Sequence, residues 1–315
     1  MNKAGIIISI VLSLAVLFLL LTYICFRIVF YVPSNKKENA EEYPLPTGKI
    51  YEPYYPDMIR WIKEARGFYC EDFTIQSFDG LKLHGKYYEY QPGAPIEIMF
   101  HGYRGSAERD LSGGIQRCRT LGRNTLLIDQ RTNCGSEGNV ISFGINEHRD
   151  CLAWVDFTVK HFGPDVKIIL TGISMGATTV LMAAGKPLPP QVIGVLADCG
   201  FSSATEIIKK CVRQLHLPAD ALYPFIRSSA KIFGHFDPEE YSAMEAMKTC
   251  QVPVFFLHGE DDDFVPCDMT RALYEACPTR KQLLTVPGAG HGLGYLVDTE
   301  GYLRAVSEFF SEFTR

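Results

Sequence analysis

The sequence feature that most constrains the fold is the pentapeptide Gly-Ile-Ser-Met-Gly at residues 172–176. It joins an apolar, β-branched run at 166–173, which predicts a strand, to a run of small residues at 177–184, which predicts a helix. Glycine stands two residues to either side of Ser174, as a sharp strand-to-helix turn requires. A serine hydroxyl is a poor nucleophile unless a base and backbone N–H groups can reach it, and such a turn exposes it to both. The pattern therefore predicts that Ser174 is a nucleophile, with a helix N-cap as its alternative role.

The chain downstream of Ser174 offers an acid and a base. The strand-like run 252–257 leads into an acidic turn, residues 261–263, and the strand-like run 282–286 opens into a glycine-rich loop that carries His291. The order serine, acid, histidine is one of the three chain orders known for a serine–histidine–acid triad. The acidic turn could instead be a solvated surface turn or a site for a hard cation. No further ligands follow at fixed spacing, so we expect no metal and no cofactor.

The chain upstream of Ser174 supplies candidates for stabilising an oxyanion. Residues 96–100 predict a strand that ends in the glycine-rich loop 101–106. In a site of this kind one N–H donor comes from such a loop, and the other comes from the residue after the nucleophile. We therefore assign the two backbone N–H donors to Tyr103 and Met175.

These motifs together resemble the α/β-hydrolase superfamily over roughly residues 73–313, and within it the prolyl-oligopeptidase-like or serine-aminopeptidase-like serine hydrolases. The resemblance implies that Ser174 is the nucleophile and that His291 is the general base and acid. It also implies that Asp262 orients His291, because the family's H-G-x-x-D-x-x-V-P pattern has its acid in fifth place and Asp262 is fifth when His258 is counted as first.

Three other carboxylates compete with Asp262 for the role of the acid. Asp261 and Asp263 flank it directly in the chain. Asp198 follows the predicted strand 192–197, and some members of the fold carry the acid one strand earlier.

One stretch departs from the pattern of the family. Residues 129–138 resemble its D-x-R-G-x-G-x-S stretch, but Thr132 and Cys134 stand where glycines are usual. We expect this departure to alter the shape of the loop rather than the chemistry.

Apolar runs along the chain predict a sheet of eight strands. Several runs are apolar without alternation, as in parallel strands that are covered on both faces, and helical patterns such as residues 146–162 separate them. Residues 199–250 are too many for a simple crossover and predict a helical cap over the carboxyl ends of the strands. We therefore predict an α/β-hydrolase fold, with an eight-stranded, mostly parallel sheet flanked by helices. The predicted strands are 73–77, 81–90, 96–100, 125–129, 167–173, 192–197, 254–258 and 282–286.

The amino-terminal region carries a different pattern. Residues 4–26 are uncharged and almost wholly apolar, and as a helix they are long enough to cross a hydrocarbon core of about 30 Å. We predict a single transmembrane helix there, a linker over residues 33–50 and a catalytic domain over residues 51–315. We also expect that removal of residues 1–34 would leave a soluble, folded domain.

Charge and cysteine content limit the partners and the cellular compartment that we expect for the protein. The net charge of −5 offers no electrostatic footprint for nucleic acid, so we expect no nucleic-acid partner. Lys3 on one side of the apolar segment opposes Arg27, Lys36 and Lys37 on the other, and this balance does not assign a membrane side to the domain. Ten cysteines without disulfide or metal spacing favour a reducing compartment, whereas a lone amino-terminal anchor favours the outside.

These patterns predict a serine hydrolase that cleaves a carboxylic ester, a thioester or a small peptide-like acyl substrate through an acyl-enzyme. Its partners would be this small-molecule substrate and, through residues 4–26, a membrane. Serine at the elbow argues against dehalogenase and epoxide hydrolase chemistry, which needs a carboxylate nucleophile there. The alternative is a catalytically silent α/β-hydrolase-fold protein that binds a ligand or a partner beneath the cap.

Overall fold

One sheet of eight strands organises the protein, for which a computed structural model describes residues 3–33 and 43–314. The strand order is β1-β2-β4-β3-β5-β6-β7-β8, and only β1–β2 and β2–β4 pair antiparallel. All eight predicted strands are present near their predicted bounds, so the prediction of the sheet is confirmed. The strands are β1 (Glu71–Gln76), β2 (Lys82–Tyr88), β3 (Ile96–Phe100), β4 (Asn124–Asp129), β5 (Ile168–Ile173), β6 (Val192–Asp198), β7 (Val254–Gly259) and β8 (Lys281–Val286).

Helices cover both faces of this sheet. The side chains of Ile96, Ile98 and Phe100 on β3 join one hydrophobic cluster, whereas Met99 joins another, because successive side chains of a strand point to opposite faces. This two-sided cover explains why central strands such as β3, β4 and β7 are buried along their whole length without alternation. The helices are α1 (Lys3–Val29), α2 (Tyr55–Gly67), α3 (Ala107–Thr120), α4 (Glu147–Phe162), α5 (Met175–Ala184), α6 (Ala204–Gln214), α7 (Ala219–Ser229), α8 (Ala243–Thr249), α9 (Cys267–Ala276), α10 (Gly294–Val297) and α11 (Thr299–Thr314).

The insertion between β6 and β7 is helical, as predicted for the cap. It contains α6, α7, a π-helical turn at Ala230–Gly234 and α8. The Lys210 ammonium on α6 donates to the backbone carbonyl of Phe264 at 2.6 Å, so α6 lies against the turn that follows β7. The insertion therefore covers the carboxyl end of the sheet.

The end of α1 packs against the folded domain, although residues 1–34 were expected to be dispensable for folding. Most of α1 is a candidate membrane span with a mean hydropathy of 3.0. Its last turn and the residues that follow enter the core, where the Phe30 side chain is fully buried between Phe143 and Phe236 at ring-centroid distances of 5.8 and 5.3 Å. A β-bridge joins Tyr31 to Val140. The sequence missed this packing because residues 28–32 are as apolar as residues 4–26, so composition does not separate side chains that face lipid from those that face a core.

The predicted linker, residues 33–50, also differs from expectation where the structure describes it. Residues 34–42 lie outside the described part of the chain. Residues 46–50 line the cleft at the carboxyl end of the sheet, and Tyr51 donates a hydrogen bond to the backbone carbonyl of His291 at 3.1 Å. This end of the predicted linker therefore contacts the domain that it was expected to precede.

Candidate active site

Ser174 lies on the sharp turn between β5 and α5. Its backbone has φ 56° and ψ −118°, a conformation that is strained for a residue with a side chain. A Cβ atom on Gly172 would collide with the backbone of Gly176, and one on Gly176 would collide with the backbone carbonyl of Phe100. The Ser174 side chain makes no capping hydrogen bond, so the alternative role as a helix N-cap does not hold.

A hydrogen-bonded chain joins Ser174 to His291 and Asp262. The Ser174 Oγ atom lies 2.9 Å from Nε2 of His291, and Nδ1 of His291 lies 2.7 Å from Oδ2 of Asp262. The other carboxylate oxygen of Asp262 accepts the backbone N–H groups of Phe264 and Val265 at 2.9 and 2.8 Å. These two N–H groups fix the carboxylate, and the carboxylate in turn fixes the imidazole ring.

The environment of Asp262 keeps its carboxylate ionised. Burial opposes ionisation, but hydrogen bonds from His258 and His291 outweigh burial and hold the pKa of Asp262 well below its usual value. An ionised carboxylate can only accept hydrogen bonds, so Nδ1 of His291 carries a proton and donates it to Asp262. The Nε2 atom of neutral His291 is then the acceptor that faces the Ser174 hydroxyl.

The other three carboxylates do not contact His291. Asp261 and Asp263 are exposed. Asp198 is buried at the end of β6, and its Oδ1 atom has no hydrogen-bond partner among the described residues. Burial raises the pKa of Asp198 to about 6, although His258 and His291 nearby oppose the shift. Asp198 contributes its backbone instead, since its carbonyl accepts the N–H of Ser174 at 2.8 Å.

The two residues assigned as oxyanion donors flank Ser174. Met175 begins α5, and Tyr103 follows Gly102 in the loop after β3. Neither backbone N–H has an acceptor within residues 3–33 and 43–314, so both are free to bind a ligand oxygen. The N–H of Gly102 donates to Asp110 at 2.9 Å, which holds the loop against α3. Sequence reasoning missed Asp110 because an acidic residue in the first turn of a helix is common.

Thr132 and Cys134 adopt backbone conformations that glycine would favour. Their φ angles are 75° and 43°, in the left-handed region. Thr132 is β-branched, so this conformation costs it more than it would cost most residues. The loop that contains Thr132 and Cys134 supports the glycine-rich loop after β3, because the side-chain amide of Asn133 donates to the backbone carbonyl of Gly105.

A cleft of about 530 Å³ opens onto Ser174 and His291. This volume lies within the range of small-molecule sites in proteins. The lining includes the predicted nucleophile and base, and seven of the other fifteen lining residues are apolar. Those apolar residues are Pro46, Ile50, Tyr51, Met58, Tyr103, Ile173 and Phe264.

Potential metal ligands near this cleft coincide with the hydrogen-bonded chain. Ligand atoms of Cys199, Asp262 and His291 lie within 4.8 Å of one another. Burial raises the pKa of the Cys199 thiol well above its usual value, and a thiol must lose its proton to bind a metal strongly. Asp262 and His291 are already hydrogen-bonded to each other. This donor set therefore suits proton transfer better than metal binding.

Comparisons with known proteins agree with this geometry. Residues 142–315, more than half of the chain, match the prolyl oligopeptidase family. The uncharacterized protein YqkD of Bacillus subtilis is 30% identical over 238 residues, which cover 75% of this chain and 78% of that protein. An uncharacterized membrane protein of Saccharomyces cerevisiae is 26% identical over 197 residues, which cover 62% of this chain and 63% of that protein.

Solved structures show the same fold. An esterase of Pyrococcus furiosus superposes with a TM-score of 0.65 at 22% identity, and the match covers 86% of this chain and 97% of that structure. The resemblance predicted from the sequence motifs is thus confirmed by the family match and by the structural match. The chain belongs to the prolyl oligopeptidase family and is a hydrolase with the α/β-hydrolase fold.

Proposed function

We propose that the protein is a serine hydrolase that cleaves a carboxylic ester, a thioester or a small peptide-like acyl substrate through an acyl-enzyme. The observation that carries the proposal is the hydrogen-bonded chain from Ser174 through His291 to Asp262 at the floor of the cleft. The strained backbone of Ser174 supports it, because strain of this kind persists where function requires it.

The proposed reaction begins with attack of the Ser174 Oγ atom on the acyl carbonyl carbon. The Nε2 atom of His291 accepts the hydroxyl proton, and the Asp262 carboxylate stabilises the imidazolium that forms. The carbonyl oxygen becomes an oxyanion and binds the N–H groups of Tyr103 and Met175. The intermediate collapses, and the leaving group departs with the proton from His291. Water then attacks the acyl-enzyme with the same histidine as base, which releases the acid and restores Ser174.

Labelling with a fluorophosphonate tests the nucleophile. The wild-type chain should label and should hydrolyse an activated ester, and Ser174→Ala should lose both. His291→Ala should lose nearly as much turnover as Ser174→Ala, because the members of such a triad act as a unit. A wild-type chain that neither labels nor turns over any acyl ester, thioester or aminoacyl arylamide would favour the catalytically silent binding protein.

A second set of variants tests the acid. Asp262→Asn should lower turnover by about 10⁴-fold, the order of loss known when the orienting acid of such a triad becomes an amide. The matched controls are Asp261→Asn and Asp263→Asn, both exposed, and we expect each to stay within about tenfold of wild type. If Asp198→Asn were the crippling change instead, the acid would lie at the end of β6.

We also propose that α1 anchors the protein in a membrane as a single span. Its length, its mean hydropathy of 3.0 and the lack of burial of its most apolar stretch support this. The yeast relative is described as a membrane protein, which agrees with an anchor. The full chain should remain with membranes after alkaline carbonate extraction and should enter solution only with detergent.

A further inference from the structure

We infer that the turn between α6 and α7, residues 215–218, inserts into the bilayer that holds α1, so that the catalytic cleft takes its acyl substrate from the lipid phase. The inference rests on the proposed hydrolase and on the proposed anchor. It adds the substrate class, a long-chain acyl ester or thioester held in a membrane.

The first step is that α1 and α7 lie side by side and run in the same direction. The ring of Phe18 lies 5.6 Å from that of Phe225, and the ring of Tyr23 lies 5.4 Å from that of Phe233, just beyond the end of α7. Residue numbers therefore rise together along both segments. The amino-terminal end of α7 points toward the amino-terminal end of α1, which is the end that enters the membrane first.

The second step is that a membrane span of sufficient length must include the part of α1 that packs against α7. The apolar run begins at Ala4, after the charged Lys3, and at 1.5 Å per residue the stretch 4–17 before the contact at Phe18 spans about 21 Å. A hydrocarbon core of about 30 Å needs about 20 residues. The span must therefore extend past Phe18, to the part of α1 against which α7 packs. The helix α7 begins at Ala219, six residues before Phe225, so the α6–α7 turn lies about 9 Å deeper than that contact.

The third step is that the side chains at the turn suit this depth. Leu215 and Leu217 are 69% and 48% exposed, although both are large and apolar. Of the ionisable groups at this end of the hairpin, Asp220 accepts from Lys209 at 2.9 Å and lies 3.6 Å from Arg213, and His216 in the turn itself is exposed. Exposed leucines beside an apolar span are typical of an element that enters a bilayer.

The fourth step connects the turn to the cleft. On α6, Gln214 and Lys210 donate to the backbone carbonyls of Asp263 and Phe264, and the Phe264 ring packs edge-on against His291 at 5.1 Å. On the opposite wall, the Tyr103 hydroxyl donates to the carbonyl of Val29 at the end of α1, at 2.7 Å. Both walls of the cleft are thus attached to elements that meet the membrane. The cleft therefore lies next to the bilayer, and an acyl chain can pass from the bilayer to Ser174 along these walls.

Depth-dependent quenching tests the insertion without relying on catalysis. The full chain carrying Ser174→Ala is reconstituted into phosphatidylcholine vesicles with and without brominated acyl chains, and Leu217→Trp is added as the probe. The matched control is Tyr69→Trp, because Tyr69 is 84% exposed and precedes β1 at the amino-terminal edge of the parallel strands. Trp61 and Trp154 are common to both proteins and supply the same background.

We expect bromine to reduce the emission of the residue 217 probe and to leave that of the residue 69 probe unchanged. Equal quenching of the two probes, or quenching of neither, would overturn the insertion. Since both proteins carry Ser174→Ala, this result does not depend on whether the proposed reaction occurs.

A kinetic comparison tests the substrate class. In the active chain, Leu215→Lys combined with Leu217→Lys should lower turnover of a long-chain acyl ester in vesicles by about tenfold, the order expected when two leucines lose an apolar environment. Turnover of a short water-soluble ester should stay at the wild-type rate. An equal loss on both substrates, or no loss on the vesicle substrate, would overturn delivery from the lipid phase. A wild-type chain that is inactive on both substrates would instead overturn the proposed hydrolase and leave the quenching result intact.

Discussion

Substitution of Phe30 by alanine tests whether the end of the anchor belongs to the catalytic domain. The Phe30 side chain is fully buried, and its backbone carbonyl accepts the N–H of Ile141 at 2.9 Å. Replacement of a buried phenylalanine by alanine costs about 3–5 kcal/mol, the sum of the lost transfer free energy and the cavity left behind. A folded domain is stable by only about 5–15 kcal/mol, so Phe30→Ala should remove a large share of the free energy of unfolding.

The matched control is Ile28→Ala, because Ile28 lies two residues away on the same helical turn and is 64% exposed. Both variants are made in the full chain and unfolded thermally in the same detergent, with near-ultraviolet circular dichroism as the signal. Phe30→Ala should lower Tm by about 10 °C, whereas Ile28→Ala should shift it by less than about 2 °C. Turnover of a soluble ester by Phe30→Ala should fall at a correspondingly lower temperature.

Equal midpoints for the two variants would refute this reasoning. The segment would then rest on the domain without stabilising it, and the domain could begin near Tyr43. A chain that lacks residues 1–34 would in that case be soluble and active. On the packing described above, the same truncation also removes Phe26 and Val32 from the core and should aggregate.

Three further predictions concern strain and buried charge. Ser174→Gly should abolish turnover yet unfold about 2 °C above Ser174→Ala. Glycine relieves a backbone strain of about 1–3 kcal/mol, but part of that gain is lost to the greater entropy of glycine in the unfolded chain. A lower midpoint for Ser174→Gly would contradict the strain. The native pKa of Asp198, about 6, lies above the unfolded value of 3.8, so the native state binds more protons between these two pH values. The free energy of unfolding therefore falls by at most about 3 kcal/mol as pH rises from 3.8 to about 6. Asp198→Asn should abolish that fall, so the Tm of the variant relative to that of wild type should increase from pH 4 to pH 7. A Tm difference that stays constant over this range would show that the pKa of Asp198 is not raised. Glu97→Gln should cost about 3–5 kcal/mol in urea unfolding, because Arg117 and Arg123 would lose their buried counter-charge, and a cost below about 1 kcal/mol would show that the cluster is solvated.

The sequence predicted the parts of the protein that depend on local pattern. The strands follow from apolar runs, and the turn at Ser174 follows from two glycines whose hydrogen atoms occupy space that no side chain could share. The position of Asp262 within its turn came from the family's pattern, and the hydrogen bonds of that carboxylate became visible only in the folded chain. The assignment of these residues to catalytic roles remains a prediction until the variants are measured.

The parts that the sequence did not predict depend on contacts between distant segments. Tyr51 and His291 are 240 residues apart, and no periodicity or motif links them. Tyr103 meets Val29 in the same way, across 74 residues. Acidic residues are common early in a helix, so the presence of Asp110 at that position did not indicate that its carboxylate accepts the backbone N–H of Gly102.

The packing of Phe30 changes what a protease could do to this protein. Residues 34–42 join two segments, and each of these is held by the domain: Val32 donates to the carbonyl of Asn139 at 2.9 Å, and Tyr55 donates to the carbonyl of Pro46 at 2.8 Å. A single cut in that stretch would break the covalent link between the anchor and the hydrolase without separating them, since the buried phenylalanines would still hold the fragments together. If α1 anchors the protein as proposed, shedding of the domain from the membrane would require unfolding as well as cleavage. A nicked molecule would migrate as two bands on a denaturing gel while it sediments as one.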